Sequence, residues 1–156
     1  MSLDATAREA NLRDSIKRYF VDNLVTAEGV QVSFDRGLST PKVQGTDVDR
    51  WVAISLGTIE MGTMSSAIVT IYCCSKMDSE GFKLAQLRDK VMGYLVDPNA
   101  TDGYARIALY RSHPTEAWTN IGGMVVIIET ESPVMEAEDN SKIKAITITL
   151  RWSSKI

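Results

Sequence analysis

The chain predicts an α+β fold: a largely antiparallel, mixed six-stranded sheet with two helices packed on one face, in the order αβββαβββ. Three observations carry this. Apolar residues recur at helical spacing twice, over Asp4–Leu24 and Ser79–Val96. Each helix is followed by three strand-like runs, near Gly29–Asp35, Arg50–Glu60 and Thr63–Lys76, then near Tyr104–Arg111, Gly123–Ser132 and Lys142–Trp152. Two of these runs, Ala67–Cys74 and Met124–Ile128, are apolar on nearly every residue, as expected of strands inside a sheet. The 156 residues contain no linker or low-complexity stretch, so residues 1–156 read as one domain.

In the first helix Ala5, Leu12, Ile16, Tyr19 and Phe20 form one stripe, and Asn11, Asp14, Lys17 and Arg18 fall on the wet side. Asp4 is placed to cap its N-terminus and Gly29 marks the exit. Val30, Val32 and Phe34 alternate with polar residues, the pattern of a half-buried strand. Val52, Ile54 and Leu56 continue the alternation, and the two glycines of Gly57–Gly62 suit a bulge or turn joining two strands of a long hairpin.

Ser79 is the expected cap of the second helix, whose core stripe is Leu84, Leu87, Val91 and Leu95. Phe82 lies off that stripe, either folded back as an N-terminal staple or turned toward a partner. Asp97-Pro98 ends the helix. In the last strand Ile146, Ile148, Leu150 and Trp152 oppose Ala145, Thr147, Thr149 and Arg151, implying one buried and one wetter face.

Three loops stand out. Asp35–Asp49 is long for a connection inside a domain and contains only Leu38, Val43 and Val48 as large apolar residues. It is therefore expected to order fully only against a partner surface. Ser112–Gly122 places Trp118 among turn-forming residues, where it suits an interface. Glu129–Asp139 reads as a solvated, self-repelling acidic loop around Pro133.

No catalytic, cofactor-binding or metal-binding site is expected. There is no phosphate-binding glycine loop, no H-E-x-x-H and no G-x-S-x-G. The lone His113, beside Pro114, reads as a surface histidine; the enzyme alternative would pair it with Glu116 as orienter, without a marked nucleophile. Cys73 and Cys74 are adjacent in a strand and point to opposite faces, which disfavours a disulfide and leaves two half-buried small hydrophobes.

Seventeen basic against 20 acidic residues give a net charge of −3, which argues against a general grip on nucleic acid. The longest apolar run, Met124–Ile128, falls far short of the roughly 20 residues of a membrane helix. The N-terminus has no signal-peptide core, so a cytosolic product is expected.

The segments LRDSIKRYFVDNL, RWVAISLGT, SAIVTIYC, GFKLAQLRDKVMGYLVD and IKAITITLRW, in that order, make the chain resemble the tail terminator (tail-completion) proteins of long-tailed bacteriophages. The resemblance is one of element order over nearly the whole chain, with no signature residue to transfer. It implies a structural virion protein assembled in the host cytoplasm: a hexameric ring that caps the tail-tube protein, stops tube polymerisation and offers a surface to the neck or head-completion protein. DNA would pass through its lumen without specific binding, and no cofactor or membrane would be involved. A head–tail joining (neck) protein or a tail-tube subunit is the alternative. Candidate interface residues are Phe82, Trp118, Leu38, Val43 and Arg111.

Overall fold

The computed structural model describes residues 8–35, 42–43, 46–47, 49–60, 64–111, 119–137 and 141–153. It is an α+β structure in which two helices share one core with a mixed sheet. Helix α1 (Arg8–Phe20) continues into a π-helical turn, Val21–Thr26. The helical segment closes where the Val30 N–H donates to the Leu24 carbonyl at 2.9 Å and Gly29 takes a positive φ of 68°. Of the predicted stripe, Leu12, Ile16 and Phe20 are fully buried and Tyr19 is half-buried, while Ala5 lies outside the described residues; Leu24 adds to the packed face. Asn11 is an exception to the predicted wet side: it is buried, because α1 lies against a strand on that side as well.

The strands are β1 (Gln31–Phe34), β2 (Lys42–Val43), β3 (Thr46–Asp47), β4 (Arg50–Glu60), β5 (Met64–Ser75), β6 (Arg106–Arg111), β7 (Thr119–Glu131), β8 (Met135–Glu136) and β9 (Lys142–Ser153). The main sheet has the order β1-β4-β5-β9-β7-β6, with β8 added alongside β9. β1 runs parallel to β4 and every other pairing is antiparallel. That makes seven strands against the six predicted. The extra one, β8, lies inside the acidic segment read as a loop, and Glu131 of that segment closes β7. A separate two-stranded ladder, β2–β3, sits within the long Asp35–Asp49 connection.

The two runs apolar on nearly every residue occupy interior positions: β5 between β4 and β9, and β7 between β9 and β6. β4 occupies the predicted span, and its register against β5 shifts between Leu56 and Ile59, at the expected glycine bulge. A Cβ on Gly57 would come within 3.1 Å of the Ile68 carbonyl oxygen, so the absent side chain lets the two backbones approach.

Helix α2 (Phe82–Gly93), which joins β5 to β6 in the chain, packs on β5, β9 and β4 and buries Leu84, Leu87 and Val91, with Leu95 just beyond it. It is shorter than the predicted Ser79–Val96, and its cap is not Ser79. Gly81 turns the chain in the left-handed region at φ 76°. The Asp78 carboxylate, three residues upstream, accepts the Leu84 N–H at 2.9 Å and the Ser75 hydroxyl at 3.1 Å. These bonds hold its pKa below the ordinary aspartate value although burial pushes the other way.

The β9 residues Ile146, Ile148, Leu150 and Trp152 all enter the helix-side core, as their alternation predicts. The opposite face carries its own small cluster of Trp51, Cys74 and Ile143, with Tyr72 and Ala137 against it. Cys73 belongs to the main core and Cys74 to this second cluster. The two thiols do point to opposite faces, but both are fully buried, where half-burial was expected. Burial pushes the Cys73 thiol up to about 12, so it stays protonated and inert.

Candidate assembly surface

The two outer edges of the sheet are treated differently. At the β6 edge, helix α1 lies along the strand. The Ser15 hydroxyl accepts the Tyr110 N–H at 2.8 Å and donates to the Asn11 carbonyl at 2.7 Å, one turn back in the helix. The Arg18 guanidinium sits 4.3 Å from the centre of the Tyr110 ring. A hydroxyl thus stands in for the missing neighbour strand, and the edge is closed.

Among the described residues the β1 edge has no such cover, and no strand pairs with its outer side. Between it and α1 runs an open cleft of about 490 Å³, lined by Arg13, Asp14 and Lys17 of the helix and by the whole strand Gln31–Phe34. The Asp35 carboxylate closes one end, held by Arg13 and accepting the Leu56 N–H at 3.0 Å. A second cleft of about 320 Å³ adjoins it, lined by Glu28, Gly29, Asp49, Arg50 and Lys90 among others. Glu28 there is kept below the usual carboxylate range by the Tyr94 hydroxyl, 2.8 Å away, and by Lys90 at 3.1 Å.

Other exposed apolar residues lie just after β5, at the start of α2 and at the start of β8. Met77 is 86% exposed, Phe82 68%, Val134 52% and Met135 43%. Met77 also holds a left-handed φ of 54°, unusual for a residue with a side chain. Exposed Met and Phe side chains are characteristic of contact surfaces. Phe82 is therefore not folded back as a staple.

The remaining candidate residues are not gathered with it. Leu38, Trp118, His113 and Glu116 lie outside the described residues. Val43 falls in β2 and Arg111 at the end of β6, with only their backbones described. Sequence reading missed Met77, Val134, Met135 and the β1 cleft. A single apolar residue in a turn carries no periodic signal, and an open edge is a property of strand order. Among the described residues no group of three or more His, Cys, Asp or Glu is placed to hold a metal ion. No helix among them is long and apolar enough to cross a membrane.

Among the described residues the fold thus defines an α+β sheet protein with one sealed edge, one open edge and exposed apolar residues at the starts of α2 and β8. No protein-family model matches the chain, and no curated protein matches it. A solved structure whose printed name is only a sequence identifier is similar to it at a TM-score of 0.51 and 9% identity, over 88% of this chain and 93% of that one. This likeness shows a shared fold alone.

Proposed function

We propose that the protein is a structural assembly subunit of the phage tail-terminator kind. In this reading copies close into a hexameric ring on the last ring of tail-tube protein and halt its polymerisation. The ring then presents its other surface to the neck or head-completion protein, and DNA passes through the lumen without specific binding. The protein acts in the virion, by surface complementarity, and not as an enzyme. One observation carries the assembly part: among the described residues a strand edge is left open beside a cleft, on a sheet whose opposite edge is sealed by Ser15 and α1. The exposed Met77 and Phe82 add an apolar contact area. The net charge of −3 suits a lumen that does not retain phosphate. The terminator assignment itself rests on the element order.

The test is negative-stain electron microscopy of the purified protein with and without tail tubes. A closed terminal layer with rotational symmetry, and tubes that no longer lengthen, is the expected result. Tubes that keep growing with no added layer would refute the terminator reading. An elongating tube built of this protein alone would transfer it to the tail-tube class.

A further inference from the structure

We propose that neighbouring copies join edge to edge, the β8 segment of one copy entering the α1–β1 cleft of the next and continuing its sheet. This deepens the ring reading above and rests on its self-assembly part only. Its basis is a match between two short open edges that the fold leaves at different places.

The first edge is β1. The Asp35 N–H donates to the Ile54 carbonyl at 2.7 Å, continuing a parallel ladder in which Gln31 pairs with Trp51 and Ser33 with Ala53. In such a ladder alternate residues face the partner strand, so Gln31, Ser33 and Asp35 turn their backbone groups to β4. Val32 and Phe34 turn theirs into the cleft. Their side chains meanwhile pack on the helix-side core.

The second edge is β8. The Ala137 N–H donates to the Ser141 carbonyl at 2.8 Å, in register with the Met135–Ile143 pair. Met135 and Ala137 therefore face β9, and Val134 and Glu136 present their N–H and C=O groups outward. β8 pairs with no described strand but β9, and Val134, Met135 and Glu136 are all exposed. The Glu136 carboxylate is 3.8 Å from the Lys142 ammonium, and the Lys142 side chain passes the N-terminus of α2 at Gly81. Glu136 thus projects to the helix side of the sheet.

The two edges agree in three respects. Each offers two residues with outward backbone groups, enough for a short ladder. In both, the residues with outward groups carry their side chains on the helix side, so a continued sheet keeps one face throughout. Finally, Lys17 lines the helix side of the cleft and makes no ion pair among the described residues, whereas Arg13 is committed to Asp35. Glu136 of an incoming strand arrives beside it. Asp14, the other charge in the cleft, is offset by the Lys142 that accompanies Glu136. A contact between two different patches is head-to-tail, and repeats of it close into a ring when the rotation allows.

The experiment is a charge exchange read by sedimentation velocity and by microscopy on tail tubes. Lys17→Glu and Glu136→Lys should each weaken association about tenfold, and the two together in one chain should restore it to within about threefold. Val32→Pro deletes one cleft-facing N–H while leaving the bonds of β1 to β4 in place, and should block association. Thermal unfolding of each variant separates lost association from lost folding. If wild-type copies associate normally but the double variant is no better than the singles, the edge pairing is overturned while the ring reading stands. Symmetric β1–β1 dimers give that same non-rescue. If wild-type copies never associate, alone or on tubes, the ring reading falls and the edge pairing with it.

Discussion

Glu131 offers the sharpest energetic test. It ends β7, and Arg88 of α2 grips it with two bonds, Nε at 2.6 Å and Nη2 at 3.0 Å, while Lys144 of β9 lies 3.2 Å away. The three residues pin the helix to two strands. The bonds from Arg88 are the main reason the Glu131 carboxyl is lowered from 4.5 to about 2, and the bond from Lys144 adds to them. A difference of about 2.5 units is worth about 3 kcal/mol. With roughly a quarter of the Glu131 side chain in water, screening reduces this to about 2 kcal/mol. The folded carboxyl is the stronger acid, so its contribution is fully present above pH 4.5 and is lost as pH falls toward 2. Glu131→Gln should therefore lower the thermal midpoint at pH 7 by about 4–8 °C for a domain of this size. The gap between the two proteins should close as pH drops from about 5 to 2. Midpoints measured by circular dichroism across that range give the answer. A gap that stays constant down to pH 2.5 would show that the charge on Glu131 contributes nothing and that only its packing matters.

Three further outcomes follow from the same geometry. Ser15→Ala strands the Tyr110 N–H beside α1 and should cost about 1–3 kcal/mol in denaturant unfolding; an unchanged midpoint would mean the β6 edge is not sealed by this hydroxyl. Met77→Ala with Phe82→Ala should leave the unfolding midpoint alone, since both side chains stand in solvent, and weaken binding to tubes by about 2 kcal/mol; loss of stability without loss of binding would remove them from the contact surface. Cys73 and Cys74 should resist thiol reagents until the protein unfolds, because burial keeps both from the solvent; rapid labelling of the native protein would contradict the packed core.

How far the sequence reveals this fold varies with the kind of interaction. β4 and β9 announce themselves, because apolar residues at every second position, as at Val52, Ile54 and Leu56 or Ile146, Ile148, Leu150 and Trp152, fit no helix. The stripe of α2 was equally plain, but its start was not. Ser79 and Asp78 are neighbours with similar capping chemistry, and only the fold brings the Asp78 carboxylate back to the Leu84 N–H. β8 escaped because two residues after a proline make no pattern; they pair only because the β7–β9 hairpin already holds them. Asn11 was misread for a related reason. Its helix position is wet unless a strand packs there, and that strand is nearly a hundred residues away. The candidate surface was the least legible part. Exposure at Phe82 could be suspected from its place off the stripe, but no local feature tells which of the strands lie outermost.

Two of the three tryptophans, one at either side of the sheet, give the molecule a built-in optical readout. Trp51 lies in the small outer cluster and Trp152 in the helix-side core, and both are buried with their indole N–H free of hydrogen-bond partners among the described residues. An indole shielded from water and unbonded at nitrogen emits toward the blue. Replacing Trp118 together with one or the other by Phe would leave a single indole that watches one face. The helix-free layer and the helix-covered layer could then be followed separately as the protein unfolds or as copies come together.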